Sequence, residues 1–186
     1  MLSFILHGGI GAASHIPILA KMVMETTGDV LEVGAGLFST PLLNQLLEGS
    51  GRRLITIESE KEWIDFLRPL ANEYHTILKS DNNDLTGILD WCSRKTWGLV
   101  FIDNHPDHLR HTFLQAVKSS AEFIVCHDTQ EGHLFDIGWN ETLSEFKYKL
   151  EVKHLPWTTV VSNSSPIPIK NRWSEDAVYQ VLQLKS

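Results

Sequence analysis

Two acids and a histidine follow apolar runs that read as β-strands. Asp103 comes directly after Trp97-Gly-Leu-Val-Phe-Ile102, and His127-Asp128 directly after Glu122-Phe-Ile-Val-Cys126. When two such strands pair side by side, the residues just past their carboxyl ends share one crevice. Two carboxylates there can hold a hard divalent cation such as magnesium and leave positions open for substrate oxygens, so Asp103 and Asp128 are candidate metal ligands. A second chemistry uses the same stretch: His127 or His105 acts as a general base with a pKa near working pH, and Asp103 contacts a bound ligand. Magnesium takes imidazole poorly. The sequence leaves both chemistries open. Asp103-Asn104-His105-Pro106 has a plainer reading too, as a cap before a helix opened by Pro106. His108 and His111, spaced i, i+3, read as a solvated helix face.

The second informative stretch is Glu32-Val-Gly34-Ala-Gly36-Leu-Phe-Ser39-Thr40. Two glycines between a strand-like and a helix-like run let the backbone approach a ligand placed over the strand's carboxyl end. A dinucleotide fingerprint wants a third Gly or Ala where this chain has Ser39. Glu58, with Ser59 beside it, closes the next apolar run 22 residues after Gly36, where a carboxylate can accept both hydroxyls of a ribose. Glu32 adds negative charge where a pyrophosphate would be repelled and an amino group attracted. Asp81-Asn82, past the third strand, offer a carboxylate and an amide edge to the exocyclic amine of adenine. Taken singly, these residues read as a turn, a helix N-terminal charge and a cap. Together they describe a cationic, adenosine-bearing ligand without phosphate, which favours S-adenosylmethionine over NAD.

The elements that must position these residues alternate along the chain. The spacing predicts a helix over Ser14–Thr27, then strands at Asp29–Val33, Arg53–Ile57, Tyr74–Leu78, Trp97–Ile102 and Glu122–Cys126. Helices over Thr40–Leu47, Glu60–Asn72, Asp84–Ser93 and Pro106–Ser119 separate them. Strands apolar on both faces belong inside a helix-covered parallel sheet, so the class is α/β, doubly wound and Rossmann-like. A weaker helix at Trp139–Phe146 precedes Tyr148–His154 and Thr158–Val161. These last two runs are too close for a helical crossover and must pair antiparallel, giving a seven-stranded, mainly parallel sheet with a terminal hairpin. Ser174–Leu184 suits either a helix or a strand.

The sequence resembles the class I S-adenosylmethionine-dependent methyltransferases through Asp29-Val-Leu-Glu-Val-Gly-Ala-Gly-Leu-Phe-Ser-Thr40, Thr56-Ile-Glu58, Phe101-Ile-Asp103 and Val125-Cys-His-Asp128. Within that family it looks most like the small-molecule O-methyltransferase branch, and His15-Ile-Pro17 is similar as well. The resemblance implies methyl transfer to a small-molecule oxygen, with Glu32, Gly34, Gly36, Ser39, Thr40, Glu58, Ser59, Asp81, Asn82 and Asp103 around the cofactor. In metal-dependent members a divalent cation sits at the positions matched by Asp103 and Asp128. The chain departs from the pattern at Ser119-Ser-Ala-Glu122, where a Pro-Gly-Gly turn is usual, and at Gly98, where an acid commonly begins the fourth strand.

Composition bounds the rest. The chain has 186 residues, 16 Lys+Arg against 23 Asp+Glu, and a net charge of −7. A single domain of this length buries roughly 70% of its unfolded surface and needs no staple. The expected layout is an N-terminal helical segment over 1–28, a sheet core over 29–162 and a loop with a C-terminal element over 163–186. The acidic balance argues against nucleic-acid and anionic-membrane partners. Cys92 and Cys126 read as free core thiols of a cytoplasmic protein. The apolar Met1–Leu6 lacks a preceding Lys or Arg, so neither signal peptide nor membrane span is expected there. A methyltransferase-like cofactor binder without turnover and an NAD-linked oxidoreductase are the competing readings, and a homo-oligomer is left open.

Overall fold

A computed structural model describes residues 13–130 and 139–169. The elements run α1 (Ile16–Glu25), β1 (Val30–Val33), α2 (Ser39–Leu47), β2 (Leu54–Glu58), α3 (Lys61–Leu67), β3 (His75–Lys79), α4 (Thr86–Ser93) and β4 (Trp97–Ile102). They continue with α5 (Arg110–Val117), β5 (Ala121–His127), α6 (Trp139–Ser144), β6 (Tyr148–Val152) and β7 (Thr158–Ser162). The seven strands form one sheet in the order β3-β2-β1-β4-β5-β7-β6. The first five are parallel, whereas β7 pairs antiparallel with both β5 and β6. The chain order reverses between β1 and β4. A doubly wound sheet opens its ligand crevice at such a reversal, beyond the carboxyl ends of the strands.

Alternation along each strand sends side chains to two separate cores. Leu31, Val33, Ile55, Ile57, Val100, Ile102, Ile124 and Cys126 face a core closed by Phe113, Leu114 and Val117 of α5, with Leu143 of α6. Val30, Leu54, Leu99, Phe101, Phe123 and Val125 face the opposite core, closed by Ile18, Leu19, Met22 and Val23 of α1 and Leu43 and Leu47 of α2. Burial on both faces is why these strands read as unbroken apolar runs.

Several element ends differ from expectation for identifiable reasons. The helix expected over Glu60–Asn72 stops at Leu67, and Pro69 lies in the short 3-10 turn Arg68–Leu70 that follows. Pro106 begins a 3-10 turn at Asp107–Leu109, and α5 proper opens three residues later, at Arg110. Strand β2 runs one residue further than expected, so Glu58 is its last residue. Gly98 also gains an explanation. A Cβ there would lie 1.6 Å from the Thr27 carbonyl oxygen, because the loop entering β1 crosses directly over β4. Both cysteines are free and buried. Burial pushes the Cys92 thiol up to about 12 and the Cys126 thiol upward as well. Among the described residues no helix is long and apolar enough to cross a membrane. Met1–Leu6 and the tail Ser174–Leu184 lie outside the described residues.

Candidate active site

The glycine turn, the ends of β2 and β4 and the loop after β3 line a shallow cleft. Val33, Gly34, Glu58, Ser59, Asn82 and Asn104 are among its walls. Gly34 is required by packing: at φ 92°, a Cβ would lie 2.5 Å from the Asn104 Cα and 2.6 Å from the Asp103 carbonyl oxygen. It lets the exit of β4 pass the exit of β1, a packing role beside its place in the cleft wall. Gly36 is less constrained, since a Cβ there would meet only the Ser39 hydroxyl, at 3.0 Å.

Glu58 is the last residue of β2, and backbone amides hold it in place. Its Oε2 accepts from the Ala35 N–H at 2.8 Å, and its Oε1 accepts from Ser59 and Glu60 at 2.6 and 2.7 Å. The carboxylate therefore ties the glycine turn to β2 before any ligand arrives. Asn82 donates to the Ser59 hydroxyl at 3.0 Å and lines the same cleft. Asp81 does not line it. That side chain is exposed and accepts from the Asn83 N–H at 2.9 Å, closing a local turn. Asn104 lines the cleft instead, with a buried Oδ1 that has no partner. Sequence reading passed it over as part of a helix cap.

Glu32 lies beneath the turn, fully buried in β1. Its Oε2 accepts from the Thr40 and Thr56 hydroxyls at 2.9 and 2.8 Å, and the Thr40 hydroxyl accepts from the Gly36 N–H at 2.9 Å. Its Oε1 has no partner in hydrogen-bonding geometry, although the neighbouring Ser39 hydroxyl also favours the charged carboxylate. Burial, only partly offset by the surrounding hydroxyls, pushes the carboxyl up to about 7. Thr40 and Ser39, the first residues of α2, are both buried.

The ends of β4 and β5 hold a separate polar cluster centred on Arg110. Its Nη2 lies 2.9 Å from Asp103 Oδ1 and 3.3 Å from Asp107 Oδ1, while its Nη1 lies 2.8 Å from Asp128 Oδ2. Its Nε donates to the Asn104 carbonyl at 2.8 Å. Asp103 and Asp128 do come together as expected, but a buried guanidinium bridges them. A hard cation in that position would meet the Arg110 charge, so the pair does not fit the magnesium site that the sequence suggested. Asp128 has φ 56°, a left-handed conformation that Asp tolerates better than most residues and that concentrates at functional sites.

His127, buried at the end of β5, is bonded through both ring nitrogens. Nδ1 lies 3.2 Å from Asp103 Oδ2, and Nε2 lies 3.0 Å from the Ser14 hydroxyl. That hydroxyl donates to the Pro156 carbonyl at 2.7 Å, which leaves its lone pairs to accept from Nε2. Ser14 joins the start of α1 to β5 and the β6–β7 turn. Burial opposes protonation of His127, but the bond to Asp103 and the charges of Asp103 and Asp128 outweigh it and raise the pKa. Burial likewise opposes ionisation of Asp103, and His127 and Arg110 outweigh it and lower the pKa. His15 packs against the Phe101 and His127 rings with neither nitrogen bonded, and burial lowers its pKa to about 4. His15, Asp103 and His127 bring ligand-type atoms within 4.8 Å of one another. His105 lies at the cluster's outer edge: its Nδ1 is 3.5 Å from Asp107 Oδ1 and its ring is 80% exposed, at the rim of the cleft. His108 is exposed, as expected.

No family model matches the sequence. Solved structures do match the fold. The O-methyltransferase TomG from Streptomyces achromogenes, in complex with SAM, superposes with a TM-score of 0.57 at 18% identity, over 80% of each chain. An O-methyltransferase from Bacillus cereus in complex with SAH gives 0.60 at 13% identity, over 82% of this chain and 87% of that one. Human methyltransferase-like protein 13 in complex with SAH gives 0.60 at 14%, over 92% and 90%. The fold is that of the class I methyltransferases. In this methyltransferase fold the reversed β7 lies between β5 and β6, which sets it apart from an all-parallel dinucleotide domain. An N(4)-(β-N-acetylglucosaminyl)-L-asparaginase from Elizabethkingia miricola is 34% identical over 85 residues, which is 44% of this chain and 24% of that protein. The chain thus spans about a quarter of that relative's length, too little to carry an activity across.

Proposed function

We propose that this chain binds S-adenosylmethionine and transfers its methyl group to an oxygen of a small molecule. The observation that carries this reading is the bare Oε1 of Glu32. A buried carboxylate oxygen without a donor is costly, by about 1–3 kcal/mol, and it lies under the glycine turn of a fold whose solved relatives hold SAM or SAH. The cofactor's ammonium is the cationic donor that would complete it, beside the Ser39 hydroxyl. Glu58 and Ser59 take the ribose, and Asn82 with the unpartnered Asn104 Oδ1 takes the adenine edge, the amide replacing Asp81 in that role. The bound cofactor supplies an electrophilic methyl on a sulfonium.

His127 is the base on the acceptor side, oriented by Asp103. It removes a proton only when its ring is neutral, and the substrate hydroxyl takes the place of Ser14 at Nε2. Arg110 fixes Asp103 and Asp128 in place of a metal. His105, exposed at the cleft rim, is not assigned the base role. A small, uncharged or cationic acceptor suits the acidic chain better than a nucleic acid or a membrane surface.

Calorimetry with S-adenosylmethionine, S-adenosylhomocysteine and NAD tests the cofactor. Binding of the first two and not the third is expected; NAD binding alone overturns the reading. Labelled-methyl transfer to a panel of phenols, catechols and sugar hydroxyls then tests turnover. Cofactor binding with no transfer to any acceptor points to a binding protein without catalysis.

A further inference from the structure

A second chain of hydrogen bonds leaves Glu32 on the side away from the cleft. Thr56 Oγ1, which donates to Glu32 Oε2 at 2.8 Å, lies 2.9 Å from His75 Nε2. The other ring nitrogen, His75 Nδ1, lies 2.8 Å from the Asn44 amide nitrogen and 3.2 Å from the Leu70 carbonyl oxygen. Glu32, Thr56 and His75 are all buried, His75 at 1% exposure. Nδ1 thus accepts from Asn44, which also donates to the Leu70 carbonyl at 2.8 Å; a ring proton on Nδ1 finds an acceptor when the Asn44 amide turns its Oδ1 towards it.

We propose that His75 is a positioning residue for the cofactor's amino group, which holds Glu32 ready to ionise by exchanging ring tautomers through Thr56. This rests on the reading of Glu32 as the ammonium's partner. When Glu32 is charged, His75 carries its proton on Nε2 and donates to Thr56, whose hydroxyl donates to the carboxylate. Nδ1 then accepts from Asn44. When Glu32 is protonated, its O–H donates to Thr56 and the Thr56 hydroxyl turns to donate to Nε2. The ring proton then sits on Nδ1, facing the Leu70 carbonyl and the Asn44 amide turned to present its Oδ1. The two states differ by one proton. On ionisation the carboxyl proton passes to Thr56 oxygen, the Thr56 proton to Nε2, and the Nδ1 proton to water. The ring is neutral in both, consistent with burial lowering the His75 pKa.

The other groups acting on Glu32 reinforce the need for such a device. From α2 come the Ser39 and Thr40 hydroxyls, from β2 Thr56, and from beyond β4 the Asp103 carboxylate, whose charge further opposes ionisation. Among these, Thr56 alone passes to a group that can change its own donor and acceptor sense.

Nitrogen NMR of the ¹⁵N-histidine-labelled full chain tests the idea without any ligand. The His75 ring is expected to change from the Nδ1–H to the Nε2–H form between pH 6 and 8 while staying neutral. One tautomer across that range overturns the proposal. With S-adenosylhomocysteine as probe, wild-type affinity should fall about tenfold per pH unit below pH 7. In His75→Phe that inflection should move up by about one unit, and in His75→Gln, which restores a donor, it should return towards wild type. A His75→Phe profile identical to wild type also overturns the proposal. If S-adenosylhomocysteine binds at no pH, the cofactor reading fails, and the tautomer measurement still decides the role of His75.

Discussion

Arg110 and Asp103 meet through one short contact, Nη2 to Oδ1 at 2.9 Å, and the same guanidinium reaches Asp128 at 2.8 Å. One buried cation thus bridges the acids just past the carboxyl ends of two adjacent strands, β4 and β5. Removing one partner of a buried ion pair leaves uncompensated charge and costs about 3–5 kcal/mol. Arg110→Met should lose stability on that scale in urea unfolding, and Arg110→Lys less. A loss below about 1 kcal/mol would show that water screens the acids.

Because Arg110 stands between the two acids, methyl transfer should persist in excess chelator, and added magnesium should not raise it. Activity abolished by chelation and restored by magnesium would return Asp103 and Asp128 to the role of metal ligands. Asp128→Asn keeps a residue tolerant of φ 56° and removes one charge facing His127 at 3.6 Å, so it should lower the His127 pKa.

The raised His127 pKa fixes the direction of the pH–rate profile. Below that pKa the ring is an imidazolium, doubly bonded to Asp103 and Ser14, and takes no proton. The rate at saturating substrate should rise with pH through an inflection above 6.5. In Asp103→Asn the inflection should move down and the maximal rate fall 10²–10⁴-fold, on the order of general-base contributions. A flat profile between pH 6 and 9 would remove His127 from the chemistry.

His15 is held neutral, its pKa lowered by burial to about 4 from 6.5. The unfolded chain therefore binds more protons between those values, and stability falls as pH drops from 6.5 through 4, by roughly 3 kcal/mol over the window. His15→Phe should flatten that part of the stability–pH curve measured by denaturant midpoints. Superimposable curves would mean that the folded protein accommodates a charged His15.

The glycines separate packing from binding. Gly98→Ala places a methyl 1.6 Å from the Thr27 oxygen and Gly34→Ala one 2.5 Å from the Asn104 Cα, so both should unfold or lose several kcal/mol. Gly36→Ala meets only the Ser39 side chain and should stay folded while losing cofactor affinity. Glu58→Ala should lose about 1–3 kcal/mol of cofactor binding, since a ribose hydroxyl loses its acceptor. Affinity unchanged in both Gly36→Ala and Glu58→Ala would place the ligand elsewhere.

The sequence by itself determined the layers and the address of the site. Strands buried on both faces must be apolar throughout, as Val30–Val33, Leu54–Glu58 and Trp97–Ile102 nearly are, and that pattern is local. The two acidic exceptions, Glu32 and Glu58, were legible for the same reason: a carboxylate in or at the end of a buried strand needs a partner. What only the tertiary structure decided was which groups those carboxylates and histidines meet. Arg110 reads as one helix residue among others until the turn after β4 brings it between Asp103 and Asp128, an acid 18 residues beyond Arg110 itself. Ser14 reads as the first residue of a helix until the chain returns 142 residues later with Pro156. His75 gave no signal, since only β2–β3 pairing sets it beside Thr56. Asp81 failed as a cleft residue because its backbone turned and its side chain satisfied that turn first. Hydrophobic periodicity is written along the chain, whereas the pairing of buried polar groups depends on distances that exist only after folding.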